Sequence, residues 1–97
     1  MKKGYIENIE KATLENEDYR RVLYTAEHMQ LVLMNLKPGD EIGEEVHELD
    51  QFIRIEEGNA KVVLNETEEH DVEDDYAVII PAGTKHNVIN TGETNLK

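Results

Sequence analysis

Ninety-seven residues carry 22 Asp and Glu against 10 Lys and Arg, a formal net charge of −12 with a pI near 4.6. Nucleic-acid backbones and anionic membrane surfaces are held by clustered Lys and Arg, and the only adjacent basic pairs are Lys2-Lys3 and Arg20-Arg21, so both partner classes are excluded. Leu, Ile, Val and Phe make up 25 of the 97 residues, above the ~20% below which a charged chain stays disordered, and the length has room for one domain that gains from oligomerisation.

Short apolar segments bounded by Gly, Pro, Asn, Asp or acidic clusters follow one another along the chain, the pattern of an all-β sandwich or barrel. The first expected strand is Tyr5 to Ile9. Lys11 to Asp18 reads as a short helical turn, because Leu14 is its lone large apolar residue and no amphipathic face can form. Further strands are expected over Arg20 to Thr25, Met29 to Leu36, Glu45 to Glu48, Gln51 to Glu56, Ala60 to Leu64, Tyr76 to Ile80 and His86 to Thr91. Pro38-Gly39 ends one of them, Gly58-Asn59 reads as a tight hairpin between two, and Pro81-Ala82-Gly83 separates the last two.

The most acidic stretch, Glu66 to Asp75, holds seven carboxylates in ten residues but lacks the spacing and central Gly of a calcium-binding loop. It reads as a solvated hairpin whose charges guard a sheet edge, with His70 exposed on it. His28 reads as a surface histidine. The absence of Cys removes disulfides and thiolate metal sites and suits a reducing compartment. Apolar runs of about five residues fall far short of the ~20 that span a bilayer, and no signal peptide is evident. The expectation is a soluble cytoplasmic protein.

The chemistry concentrates in Glu45-Val46-His47-Glu48-Leu49-Asp50-Gln51. Residues two apart in a strand share a face, so Glu45 and His47 project together. If the bend at Leu49-Asp50 keeps parity, Gln51, Ile53 and Ile55 continue that face inward, while Val46, Glu48, Arg54 and Glu56 take the other. Phe52 is an apolar residue on the outer face and marks a surface for another subunit.

These residues carry a family resemblance. The chain reads Gly39, five residues, Glu45-Val46-His47, three residues, Gln51, six residues, Gly58, which is similar at every spacing to the first cupin motif, G(X)5HXH(X)3-4E(X)6G. Asp75, five residues, Pro81-Ala82-Gly83, two residues, His86, three residues, Asn90 likewise resembles the second, G(X)5PXG(X)2H(X)3N. The chain therefore resembles a small single-domain cupin spanning residues 1–97, with the motifs at 39–58 and 75–90, most similar to the mannose-6-phosphate isomerase-like group. The resemblance implies a conical double-stranded β-barrel, or jelly roll, whose motif hairpins aim their ligands at one divalent metal. By position the ligands are Glu45, His47, Gln51 and His86, with Glu45 in place of a His and Gln51 in place of a Glu. The carboxylate has moved from the third position to the first, and the set still offers two imidazoles, one carboxylate and one amide oxygen to manganese, iron, nickel or zinc. The plain alternative leaves Glu45 a surface acid, Gln51 a polar strand residue and His86 a structural histidine.

Asp75 stands at a turn position where the motif has Gly, and Asp tolerates φ > 0 better than most residues. Asn90 reads as a turn-stabilising hydrogen-bonder. After it only Leu96 is apolar, so the barrel is expected to lack its last strand within this chain; either the native chain extends beyond Lys97 or a partner's N-terminal strand covers the exposed edge, and a homodimer is expected. Leu31, Leu33, Ile53, Ile55 and Val88 are expected to wall a substrate cavity, suited to a small, mostly uncharged molecule. Lys85 is the nearest base for a phosphate, and Tyr24 and Tyr76 are more simply packing residues. Two functions stay open: a metal-dependent isomerase or oxygenase, and a non-catalytic metal- or small-molecule-binding module.

Overall fold

The structure, a computed structural model, describes residues 4–97, so the Lys2-Lys3 pair lies outside the described residues. No strand forms over the expected Tyr5 to Ile9, whose first four residues are irregular, and the first element is the helix α1 over Ile9–Glu15, which overlaps the expected helical turn. Asn8 decides this, because its side chain accepts from the Lys11 N–H at 3.1 Å while its carbonyl accepts from Ala12 at 3.0 Å. The β-forming character of Tyr5 and Ile6 yields to a satisfied helix N-terminus. The helix starts two residues before the expected turn and ends at Glu15. Buried Asn16 then grips both backbone groups of Asp18 and turns the chain toward the sheets.

Seven strands follow: β1 (Arg20–Thr25), β2 (Gln30–Met34), β3 (Gln51–Arg54), β4 (Asn59–Leu64), β5 (Glu68–Glu73), β6 (Ala77–Ile80) and β7 (His86–Asn90). All pairings are antiparallel, in the orders β1-β2, β3-β6 and β5-β4-β7. The acidic stretch is the one strand absent from the expected series. Its hairpin turns through Asn65 and Glu66, both at positive φ (51° and 65°), the geometry that matches the twist of paired strands. On β5 only Val72 is buried, so the carboxylates stay in water.

Adjacent in sequence, β3 and β4 belong to different sheets, so Gly58-Asn59 is not a hairpin. Gly58 serves a close approach instead. Its φ is +116°, and a Cβ there would meet Asn95 O and Leu96 Cα at 3.1 Å, both of them backbone atoms. Gly58→Ala is expected to cost about 2–3 kcal/mol, from the left-handed backbone and the displaced tail together, read as a fall in the urea midpoint.

The tail corrects another expectation. Beyond Asn90 the chain turns back, and Leu96 exchanges both backbone hydrogen bonds with Leu36 (2.9 and 2.8 Å) while Lys97 pairs with Glu57. Leu96 is buried beside Leu36, Ile55, Ala60, Val62, Val72 and Val88 in the core. The expected bare edge is thus partly covered by residues of this chain.

Alternation fails once near the site. Glu56, expected on the outer face, follows buried Ile55 and is itself buried, because β3 has ended at Arg54 and the backbone bends. Arg54 Nε donates to its Oε1 at 2.9 Å and Arg54 Nη2 donates to Asp75 at 2.8 Å. Asp75 adopts φ +69°, the turn conformation its motif position requires.

Candidate metal centre

The expected strand Glu45 to Glu48 is reduced to one bridge, in which Glu45 and His86 exchange backbone hydrogen bonds of 2.8 and 2.9 Å. That bridge sets the side chains of the two motifs beside each other. His47, two residues on, accepts the Gly83 N–H at its carbonyl (2.8 Å), and Asp50 Oδ1 accepts from Ala82 N–H (2.8 Å). Three contacts therefore clamp one motif onto the other.

The clamp brings Glu45, His47 and His86 together, with ligand atoms all within 4.8 Å of one another. His47 Nε2 lies 3.0 Å and His86 Nε2 4.0 Å from Glu45 Oε2, and the two imidazole rings are tilted at a centroid separation of 5.3 Å. Glu45 and His47 form the rim, with side chains 41% and 46% exposed, whereas the His86 side chain is 2% exposed. Gln51 opens β3, opposite Ile80 of β6.

The buried donors fit a cation. His86 Nδ1 lies 3.0 Å from the Thr84 carbonyl, which can only accept, so Nδ1 carries the proton and Nε2 presents its lone pair. Among the described residues that nitrogen, which is buried, has no hydrogen-bond partner, and neither has the buried Gln51 Oε1. A buried polar atom left unpaired costs about 1–3 kcal/mol, and here two such atoms are good metal donors. Fixing a histidine tautomer through a carbonyl is also how ligating imidazoles are oriented. Thr84 escaped the sequence reading because a backbone carbonyl leaves no residue-type signal.

Lys85, the one base near the centre in sequence, is held by acids: its Nζ donates to Glu66 at 2.6 Å and lies 3.4 Å from Glu44. The Glu66 hydrogen bond raises the Lys85 pKa, and the same bond holds the Glu66 carboxyl below the ordinary carboxylate range. With a lowered folded pKa, this pair's contribution is present above the usual Glu range and is lost as pH falls through the Glu66 value. The NMR titration of Glu66 is expected to move upward in Lys85→Met.

Leu31, Leu33, Ile53, Ile55 and Val88 all line one cavity of about 200 Å³, whose wall also includes Thr13, Arg54, Glu56 and Lys97. None of the four metal candidates lines it. Tyr24 stacks on Tyr5 at 4.6 Å, and Tyr76 is half exposed away from this cavity. His28 and His70 stand beside Glu27 and Glu68 on the surface.

The sequence model of the cupin domain matches residues 32–97, which includes both clamped motifs. The chain belongs to the cupin family. This cupin is 46% identical to the uncharacterized protein YrkC of Bacillus subtilis over 98% of its length and 54% of that protein's. It is 44% identical to the uncharacterized protein L612 of Acanthamoeba polyphaga mimivirus over 94% of its length and 59% of that protein's. It therefore spans little more than half of these curated relatives. The crystal structure of BH2720 from Bacillus halodurans superposes with a TM-score of 0.94 at 46% identity, covering 98% of this chain and 76% of that one. The all-β cupin jelly roll is thus the fold of this protein, and its possible metal site is the Glu45, His47 and His86 group.

Proposed function

We propose that this cupin holds one divalent metal through Glu45, His47, Gln51 and His86 and uses it on a small, uncharged, oxygen-chelating organic molecule. The observation that carries the proposal is the lone pair of His86 Nε2, buried, unpartnered and fixed in place by Thr84. Manganese, iron, nickel or zinc suits a set of two imidazoles, a carboxylate and an amide. A metal bound there supplies Lewis-acid or redox chemistry of isomerase or oxygenase type.

The chain's own residues perform the rest. Thr84 holds the His86 proton on Nδ1, and Gln51, half-buried with its Oε1 out of solvent, adds a neutral donor. Ile53 and Val88 follow Gln51 and His86 along β3 and β7 and wall the apolar cavity, which the four metal candidates do not line. A sugar phosphate is disfavoured, since Lys85 is committed to Glu66 and Glu44 and the adjoining segment carries Glu44, Glu45, Glu48 and Asp50. The exposed cross-strand pair Phe52 and Ile79, on the outer face of β3 and β6, supports a homodimer, and the absence of Cys supports a cytoplasmic setting.

The test is metal content by mass spectrometry on protein purified without added metal, against a Glu45→Ala/His47→Ala double variant. Wild type is expected to carry or take up one equivalent and the double variant far less. A wild type that gains no metal on dialysis overturns the proposal, and turnover against a substrate panel then separates enzyme from binding module.

A further inference from the structure

We propose that the apolar cavity between α1, β2 and β3 is a second binding site, independent of the metal centre, and that it takes a small aliphatic primary amine, the chain inside and the ammonium on Glu56. The cavity of about 200 Å³ is walled by Leu33, Ile53, Ile55 and Val88 among others, and none of Glu45, His47, Gln51 and His86 lines it. An apolar void of about 150 Å³ stays dry and takes up benzene, so this one has room for roughly six to eight non-hydrogen atoms. β2 and β3 are not paired with each other, which leaves a way in between them.

Four polar residues interrupt the apolar wall: Thr13, Arg54, Glu56 and Lys97. Two of them are deeply buried, the Glu56 side chain at 3% exposure and Thr13 at 6%. Lys97 joins these two, because its carbonyl accepts from Glu56 N–H at 2.8 Å and its Nζ donates at 2.6 Å to the carbonyl of Leu14, the neighbour of Thr13. Arg54 reaches the same corner through Glu56. The polar groups therefore gather where the tail passes between the end of β3 and α1, and everything else on the wall is apolar. A guest that fits has an apolar body and one polar end.

The sign of that end follows from how the charges are shared. Arg54 is divided between two acids, with Nε donating to Glu56 Oε1 at 2.9 Å and Nη2 to Asp75 at 2.8 Å. The Lys97 ammonium is turned to the Leu14 carbonyl. A carboxylate guest would confront two acids whose guanidinium is already engaged. An ammonium instead meets Glu56 Oε2, the oxygen left by the Arg54 bond, with the Thr13 hydroxyl as a second acceptor. Two carboxylates against one guanidinium leave the Arg54 group one negative charge in excess, and the net charge of −12 adds a field that draws cations. Burying a carboxylate is costly, and a charge-assisted hydrogen bond from the guest offsets part of that cost.

The experiment titrates n-hexylamine, 1-hexanol and hexanoate into methyl-labelled protein stripped of metal and follows the NMR signals of Leu33, Ile53, Ile55 and Val88. Hexylamine is expected to shift these methyls and to bind at least about tenfold more tightly than hexanoate, with hexanol between them. Glu56→Gln keeps the shape and the acceptor for Arg54 and is expected to erase the preference for the amine, whereas the Glu45→Ala/His47→Ala variant is expected to bind hexylamine as wild type does. Unmoved methyls, equal binding of hexylamine and hexanoate, or undiminished binding by Glu56→Gln overturns the proposal. If Glu56→Gln does not fold, Thr13→Val decides: hexylamine is expected to bind about threefold more weakly, and unchanged affinity overturns the proposal. Loss of hexylamine binding in the Glu45→Ala/His47→Ala variant also overturns it, by placing the guest at the metal centre. A wild type that takes hexylamine but no metal supports this site and overturns the metal reading alone.

Discussion

Adding a divalent metal to the stripped protein at about a hundred times its Kd is expected to raise Tm by about 10–20 °C, and His86→Ala is expected to abolish that rise. A ligand bound only to the folded state at that excess stabilises by about 2.7 kcal/mol, and each kcal/mol moves the Tm of a domain this size by roughly 4–8 °C. His86 is decisive because it is the one imidazole of the centre that is both buried and fixed in the ligating tautomer. The rim pair is already 3.0 Å apart and half exposed, so either partner can turn to water when a donor is lost.

Gln51 supplies a control of opposite sign. Gln51→Met is expected to raise the Tm of the stripped protein by several degrees, since it removes a buried unpaired oxygen worth about 1–3 kcal/mol, while reducing the shift produced by metal. Stability lost to a function is recovered when the function is removed. A His86→Ala variant that keeps the full metal-induced shift would place the metal elsewhere, and a Gln51→Met variant with lowered stripped-protein Tm would make Gln51 a structural residue. Calorimetry with and without metal reads both.

Much of this site was legible in the sequence because spacing, more than residue type, fixes where two hairpins meet. Glu45, His47 and His86 converge although one of them departs from the family's residue, since Gly39, Pro81 and Gly83 set the turns around them. The bounds of β1 were also legible, from a β-rich segment between polar ends. What escaped depended on partners distant in sequence. Tyr5 to Ile9 looks like a strand until Asn8 finds the Lys11 and Ala12 amides, and Gly58-Asn59 looks like a hairpin until the tail is seen against Gly58. β5 has one buried side chain in six residues, so periodicity could not mark it; its pairing with β4 comes from the turn at Asn65 and Glu66. Glu56 was assigned outward by parity, and parity holds only while the strand lasts.

Asn90, the last residue of the second motif, is expected to matter to the fold itself as much as Gly58 does. Its side chain Nδ2 donates to the carbonyls of Leu36 and Thr94, both at 2.9 Å, and its Oδ1 accepts from Gly92 N–H at 2.9 Å. Its backbone joins the same loop through Asp40 O and Gly39 N–H. One buried side chain thus ties the end of β7 to the segment after β2 and to the returning tail that brings Leu96 into the core. Asn90→Ala strands these groups, but Leu36 O keeps its bond from Leu96 N–H and Gly92 is reachable by water. The cost is therefore about 2–3 kcal/mol, below the sum of three lost bonds, or a fall of roughly 10–20 °C in Tm. Asn90→Asp separates hydrogen bonding from shape: it keeps the size and the acceptor for Gly92 but loses both donors and turns an anion toward two carbonyls. A buried charge without a partner costs more than a missing side chain, so Asp is expected to be the worse substitution at neutral pH. Thermal melts that rank Asp level with wild type would show that the tail is held by Leu96 packing and its own backbone pairing, without the Asn90 side chain.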